Sequence, residues 1–252
     1  MIERRVEFQS EGITLRGQWH EPRDSQSFPV VLFATGDGPS GSKGQTWTNL
    51  IPMFAAHHVG VLLFDFAGLG YSDGERRQLT LSRGLANLTA AVAELRSNPR
   101  VNLERVGAFG SSFGGNALLL GAAQLPTIKV IGLKSPACYL PEAFLCEFGH
   151  EVVERWSKDG YLDEVGFDYE AFLDPLTVST YAAARAISYP VRVVHGGADS
   201  IVPTRQSRDL IHYLQSGSLR VIDGADHWYA EGNQWETMAK DLVGFLVREL
   251  TS

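Results

Sequence analysis

With 252 residues, 44% hydrophobic and 20% charged, the chain has the material for a sizeable core and lacks the composition of a disordered protein. That length fits one large α/β domain or two small ones. A formal net charge of −7, from 22 basic against 29 acidic side chains, argues against the clustered basic excess of a nucleic-acid footprint.

No apolar run reaches the roughly 20 residues that a transmembrane helix needs. Met1-Ile2-Glu3-Arg4-Arg5 leads straight into an alternating pattern, without the apolar core of a signal segment. Cys138 and Cys146 are expected to be free thiols, and they supply too few ligands for a zinc site. The expectation is a cytoplasmic protein with no metal or organic cofactor and no nucleic-acid or membrane partner.

Taken in order, Val6 to Ser10 and Ile13 to His20, separated by Glu11-Gly12, read as an antiparallel hairpin. Phe28 to Thr35 (FPVVLFAT) is a continuous apolar run of the kind found in a buried strand. The loop Gly36 to Gly41 follows, then a helix from Thr46 to about His57. Val59 to Phe66 (VGVLLFDF) is a second buried strand, and Leu81 to Leu95 has helical spacing. The run starting at Val106 ends at Gly110 and turns through Ser112 into the helix-like Asn116-Ala117-Leu118-Leu119-Leu120. Lys129 to Leu133 is the next strand.

From Ser135 to about Ile187 the rhythm breaks. This stretch carries Tyr139, Phe144, Phe148, Trp156, Tyr161, Phe167, Tyr169, Phe172 and Tyr181 and is mostly helical in character. A strand ending at His195, a helix from Thr204 to Leu214, a strand from Ser218 to Ile222 and a helix from about Gln234 to Leu250 complete the chain. Strands alternating with helices predict a mainly parallel sheet covered on both faces. The irregular stretch, about 136–187, reads as a lid inserted over the C-terminal edge of the strands, where open α/β sheets bind ligands. No repeat or linker divides the chain, so 1–252 is expected to be a single domain. The inserted aromatics fit either the core of that lid or the lining of an acyl pocket.

The chemistry gathers at three strand ends. Gly110-Ser111-Ser112-Phe113-Gly114 fits the G-x-S-x-G turn that lifts a nucleophile above a sheet. A turn that tight brings backbone segments together, so its flanking positions exclude side chains. A serine hydroxyl also needs an adjacent base. His227, in Gly224-Ala225-Asp226-His227-Trp228-Tyr229 after the last strand, is the candidate, and Asp199 after the strand ending at His195 would fix its tautomer. Six other histidines compete, but only His227 follows the last strand. His195 is expected to be structural, holding the loop of Asp199, while Asp223 and Asp226 fit turn positions.

The segments FDFAGLGYSDG, GSSFGG, HGGADSIVP and GADHWY together make the chain resemble the α/β-hydrolases along nearly its whole length. Among them it is most similar to small intracellular carboxylesterases of the feruloyl/cinnamoyl-esterase type. The resemblance implies an eight-stranded, mainly parallel sheet, Ser112 as nucleophile, Asp199 as acid and His227 as base. It implies an oxyanion hole from the N–H of Phe113 and one from the loop after the third strand. Family members often carry His-Gly there, whereas this chain has Thr35-Gly36-Asp37-Gly38-Pro39. Counting from the strand end selects Asp37, with Gly38 second; counting back from Gly41-Ser42-Lys43 would select Pro39, which has no N–H.

The expected reaction is hydrolysis of a small-molecule carboxylic ester through an acyl-enzyme, without a cofactor. A peptidase or thioesterase on the same three residues, or a catalytically silent binding protein of the same fold, are the alternatives. The oligomeric state is left open, with a homodimer as one option. Gly36 to Gly41 also matches G-x-G-x-x-G after a strand, with Asp65 ending the next strand. Pro39 and the late start of the following helix speak against a dinucleotide site.

Overall fold

A computed structural model describes all residues 1–252. Its centre is one eight-stranded sheet: β1 (Ile2–Ser10), β2 (Ile13–Glu21), β3 (Phe28–Ala34), β4 (Gly60–Phe64), β5 (Val101–Ser111), β6 (Val130–Lys134), β7 (Val191–Gly196) and β8 (Gly217–Ile222). The spatial order is β1-β2-β4-β3-β5-β6-β7-β8. The pairings β1–β2 and β2–β4 are antiparallel and the rest are parallel, so the expected parallel sheet carries an antiparallel hairpin on one edge. That hairpin turns through Glu11 and Gly12, both at positive φ (49° and 79°), and its first strand begins four residues earlier than Val6.

Both faces of the sheet are covered, as the unbroken apolar runs of β3 and β4 require. In β3, Val30, Leu32 and Ala34 pack into one core, and Val31 and Phe33 into the other. In β4, Leu62 and Phe64 divide from Val61 and Leu63 in the same way. The first core receives α2 (Leu81–Ser97), α3 (Ser112–Gly121), and Leu210 from the later helix at Thr204–Tyr213. The second receives α1 (Gln45–Ala55) and the C-terminal helix Gln234–Thr251. Helix α2 starts cleanly because the Thr80 side chain accepts the N–H of Arg83, a stabilisation of about 1 kcal/mol.

Between β6 and β7 the chain forms α4 (Leu140–Asp159), α5 (Glu170–Leu173) and α6 (Thr180–Ala184); α7 (Thr204–Tyr213) and α8 (Gln234–Thr251) are the remaining helices. Helix α4 is broken at Gly149, whose φ of 80° is closed to most side chains. Of the inserted aromatics, Phe144, Phe148, Trp156, Phe167, Tyr169 and Phe172 meet one another within the first core. Trp156 is fully buried, its ring 5.2 Å from both Phe144 and Tyr169 and 6.0 Å from Phe172, and its indole N–H donates to Phe167 O at 2.8 Å. Cys138 is buried, Cys146 is exposed, and neither is bridged. No helix is long and apolar enough to cross a membrane.

Candidate active site

Ser112 sits where β5 passes directly into α3, with φ at 50°. For a non-glycine residue that conformation is strained, and it persists only where the surroundings fix it. The flanking glycines show what does so. A Cβ on Gly110 would lie 2.7 Å from Gly115 Cα, and one on Gly114 would lie 2.2 Å from Thr35 O and 2.3 Å from Ala34 O. Helix α3 is thus pressed against the end of β3. Its first N–H groups, including that of Phe113, have no partner within the helix. The loop after β3 runs beside the serine: a Cβ on Gly36 would lie in ordinary contact with Ser112 Cβ, at 3.7 Å.

Asp199 and His227 come together from the loops after β7 and β8. His227 Nδ1 donates to Asp199 Oδ2 at 2.7 Å, while Asp199 Oδ1 accepts the N–H groups of Ile201 (3.0 Å) and Val202 (2.8 Å). His195 lies fully buried beneath this carboxylate. Its Nε2 donates to Val202 O at 2.9 Å and approaches Asp199 Oδ2 to 3.3 Å, and Ser207 Oγ donates to its Nδ1 at 2.6 Å. Burial by itself would push the Asp199 carboxyl upward. The hydrogen bonds from His195, His227 and Val202 outweigh it and hold the group well below the usual carboxylate range.

The arrangement fixes the histidine. With Nδ1–H committed to a carboxylate, Nε2 is left as a proton acceptor, and neither it nor Ser112 Oγ is hydrogen-bonded to any protein group. Both residues line one cavity of about 350 Å³, which also includes Asp37, Gly38, Trp47, Lys134 and Trp228. Phe113 points its ring away, edge-on to Phe66 at 5.3 Å, so it can offer the site only its backbone. The glycine loop borders the serine cavity and runs into a short turn, Gly41–Lys43, before α1. No cluster of three or more His, Cys, Asp or Glu side chains has the spacing of a metal site.

Four further residues support the site; the sequence pattern named Asp65 only in the dinucleotide outline and gave Arg76, Tyr229 and Lys134 no role. Asp65, at the end of β4 and fully buried, accepts Ser42 Oγ at 2.8 Å and the Tyr71 N–H at 2.9 Å, tying the loop after β3 to the one after β4. Burial raises its pKa. Arg76 Nε donates to Asp37 O at 3.0 Å, and its guanidinium stacks 4.0 Å from the Phe167 ring, joining the Asp37 loop to the inserted helices. Tyr229, at φ 58°, is buried and its hydroxyl lies 3.0 Å from Ser135 Oγ and 3.1 Å from Val194 O. Lys134 Nζ donates to His227 O at 2.8 Å. Trp228, by contrast, is 64% exposed, its ring perpendicular to that of His227 at 5.4 Å. None of the clustered inserted aromatics lines the serine cavity.

Residues 75–252 match the prolyl oligopeptidase family, and residues 1–144 match a family described as esterase FrsA-like. The chain belongs to the prolyl oligopeptidase family of α/β-hydrolases. Esterase features thus accompany a family named for a peptidase. Among curated relatives, the chain is 35% identical over 120 residues to the polyketide transferase grgF of a Penicillium species, covering 47% of this chain and 40% of that one. It is 25% identical over 255 residues to the protein YfhR of Salmonella typhi, covering 96% and 80%. The chain therefore spans about two fifths of the first of these relatives. In fold it is similar to Est1E from Butyrivibrio proteoclasticus, solved with ferulic acid, with a TM-score of 0.81 at 22% identity over 98% of this chain and all of that one.

Proposed function

We propose that this hydrolase cleaves carboxylic esters of small molecules through an acyl-enzyme on Ser112. The observation that carries the reading is the 2.7 Å bond from His227 Nδ1 to the depressed carboxylate of Asp199, which leaves Nε2 free on the cavity wall that Ser112 shares. Ser112 Oγ attacks the ester carbonyl carbon while its proton passes to His227 Nε2. The negative charge that develops on the carbonyl oxygen is met by the N–H groups of Phe113 and of Asp37, with Gly38 the second choice for the loop donor. Collapse expels the alcohol oxygen, which takes the proton from His227. Water then repeats the sequence on the acyl-enzyme and releases the acid. The inserted helices form the cap of this site, and Arg76 joins them to the loop that carries Asp37.

An ester is favoured by the match of residues 1–144 to an esterase family and by the ferulic acid bound to the structural relative. A peptidase is the second reading, favoured by the family matched over 75–252. Labelling with a fluorophosphonate probe, wild type beside Ser112→Ala, tests the nucleophile, and a panel of esters and matched amides tests the bond. Labelling of wild type alone, with ester turnover lost by several orders of magnitude in the variant, is expected. Faster amide than ester turnover would decide for the peptidase, and absence of labelling in folded protein would remove Ser112 from the reaction.

A further inference from the structure

We propose that Lys134 is a specificity-determining residue that binds a carboxylate carried by the ester, so that the substrates bear a negative charge close to the scissile bond. This rests on the ester-hydrolase reading of Ser112. Lys134 is the last residue of β6 and pairs in register with Ser111, immediately before the nucleophile. Its side chain runs to the wall of the cavity that holds Ser112 and His227, and the residue is 4% exposed.

An ammonium has three N–H donors. One goes to His227 O, and the others have no protein acceptor. No carboxylate lies within ion-pair distance of Nζ; the other feature beside it is the Tyr229 ring at 5.0 Å. Asp199 and Asp226 act on it only from farther off, and both Asp199 oxygens are already occupied by His227, Ile201 and Val202. Burial lowers the Lys134 pKa to about 8, so the group still carries its charge at neutral pH. A buried cation without a contacting counter-ion is costly, and an anion that enters the cavity offsets that cost.

The rest of the cavity agrees. Trp47 and Trp228 are its only large apolar side chains, a poor lining for a long acyl tail, and about 350 Å³ suits a short polar substituent. Asp37, the one acidic side chain in the lining, belongs to the oxyanion loop and disfavours an anion there, which directs the carboxylate to the Lys134 end. Packing does not require the lysine, since the strand is apolar up to Leu133 and an aliphatic side chain would fill the same place.

The test compares isosteric pairs that differ by one charge. Monomethyl glutarate against its primary amide places the carboxylate on the acyl half; O-acetylglycolate against O-acetylglycolamide places it on the alcohol half. Wild type is expected to favour the anion of at least one pair by about tenfold or more in kcat/KM, the scale of a charge-assisted hydrogen bond. Lys134→Met and Lys134→Gln should bring that ratio towards one, the glutamine keeping a donor for His227 O without the charge. A wild-type ratio near one for both pairs overturns the proposal. So does a ratio unchanged in both variants with anion and amide slowed alike, which would leave Lys134 with its hold on His227 alone. Because the ratio is first read in wild type, a variant that fails to fold does not protect the idea. Fluorophosphonate labelling without any carboxylate preference sinks the Lys134 assignment only; no labelling and no ester turnover sinks the hydrolase reading, and this proposal with it.

Discussion

Asp199 has no unoccupied oxygen: one accepts two backbone N–H groups of its own loop, and the other accepts His227 with His195 close beneath. The carboxylate therefore acts as both a loop staple and the acceptor that selects the histidine tautomer. Asp199→Asn should keep the fold and lower kcat by about a thousandfold or more, because an amide can present N–H where the ring needs an acceptor. Near-wild-type kcat would free His227 from any need of that partner. The same group sets an acid limit on stability. Its folded pKa lies below the ordinary value of about 3.9, so its contribution is complete above that pH and disappears as pH falls towards the folded value. Urea midpoints of wild type and Asp199→Asn should differ most at neutral pH and converge below about pH 4. A gap that persists unchanged into acid would mean the loss is steric and not ionic.

At the scale of elements, the contact between α3 and the end of β3 sets the position of the nucleophile. Gly114 permits it, since any Cβ there would overlap the backbone oxygens of Ala34 and Thr35, and backbone cannot rotate aside as a long side chain can. Gly114→Ala should cost about 1–3 kcal/mol by chemical denaturation, with loss of activity as the loop of Asp37 is forced away from Ser112. Gly244, on the exposed side of α8 with nothing within 4 Å of its Cβ position, provides the contrast. Gly244→Ala should stabilise by about 0.5–1 kcal/mol. Equal responses at the two positions would show that helix propensity, not the approach of α3 to β3, governs the first.

For the whole molecule, the question is whether the inserted helices move with the sheet. Trp156, Phe144 and Phe167 belong to the same continuous buried core as Leu32 and Phe64 of the sheet. Trp156→Ala should cost about 3–5 kcal/mol, and calorimetry should still record one transition, shifted down as a unit. A second, earlier transition confined to the variant would show that the insertion unfolds by itself. This continuity also explains the place of the aromatics: they meet one another within that core, leaving the serine cavity to be lined by the β3 loop, Lys134 and the two tryptophans.

What the sequence determined by itself was whatever depends on neighbours in the chain. Apolar runs such as FPVVLFAT and VGVLLFDF can be buried on both faces only in a covered sheet, and glycines flanking Ser112 fit a strand–helix turn without side chains; both are local requirements. The positions of Ser112, Asp199 and His227 past three strand ends were legible for the same reason. The structure alone decided what depends on residues far apart. The hairpin was legible, but its antiparallel attachment to the sheet comes from the register of Gly17 to His20 against Val61 to Phe64, which no periodicity encodes. Arg76 reaching Asp37, and Asp65 holding Ser42, are contacts between separate loops. Lys134 had one local signal, a charge closing an apolar strand, but a lysine at a strand end is ordinarily solvated. Only the loop after β8, folding over it to place His227 O against its Nζ, turns that charge inward to the cavity.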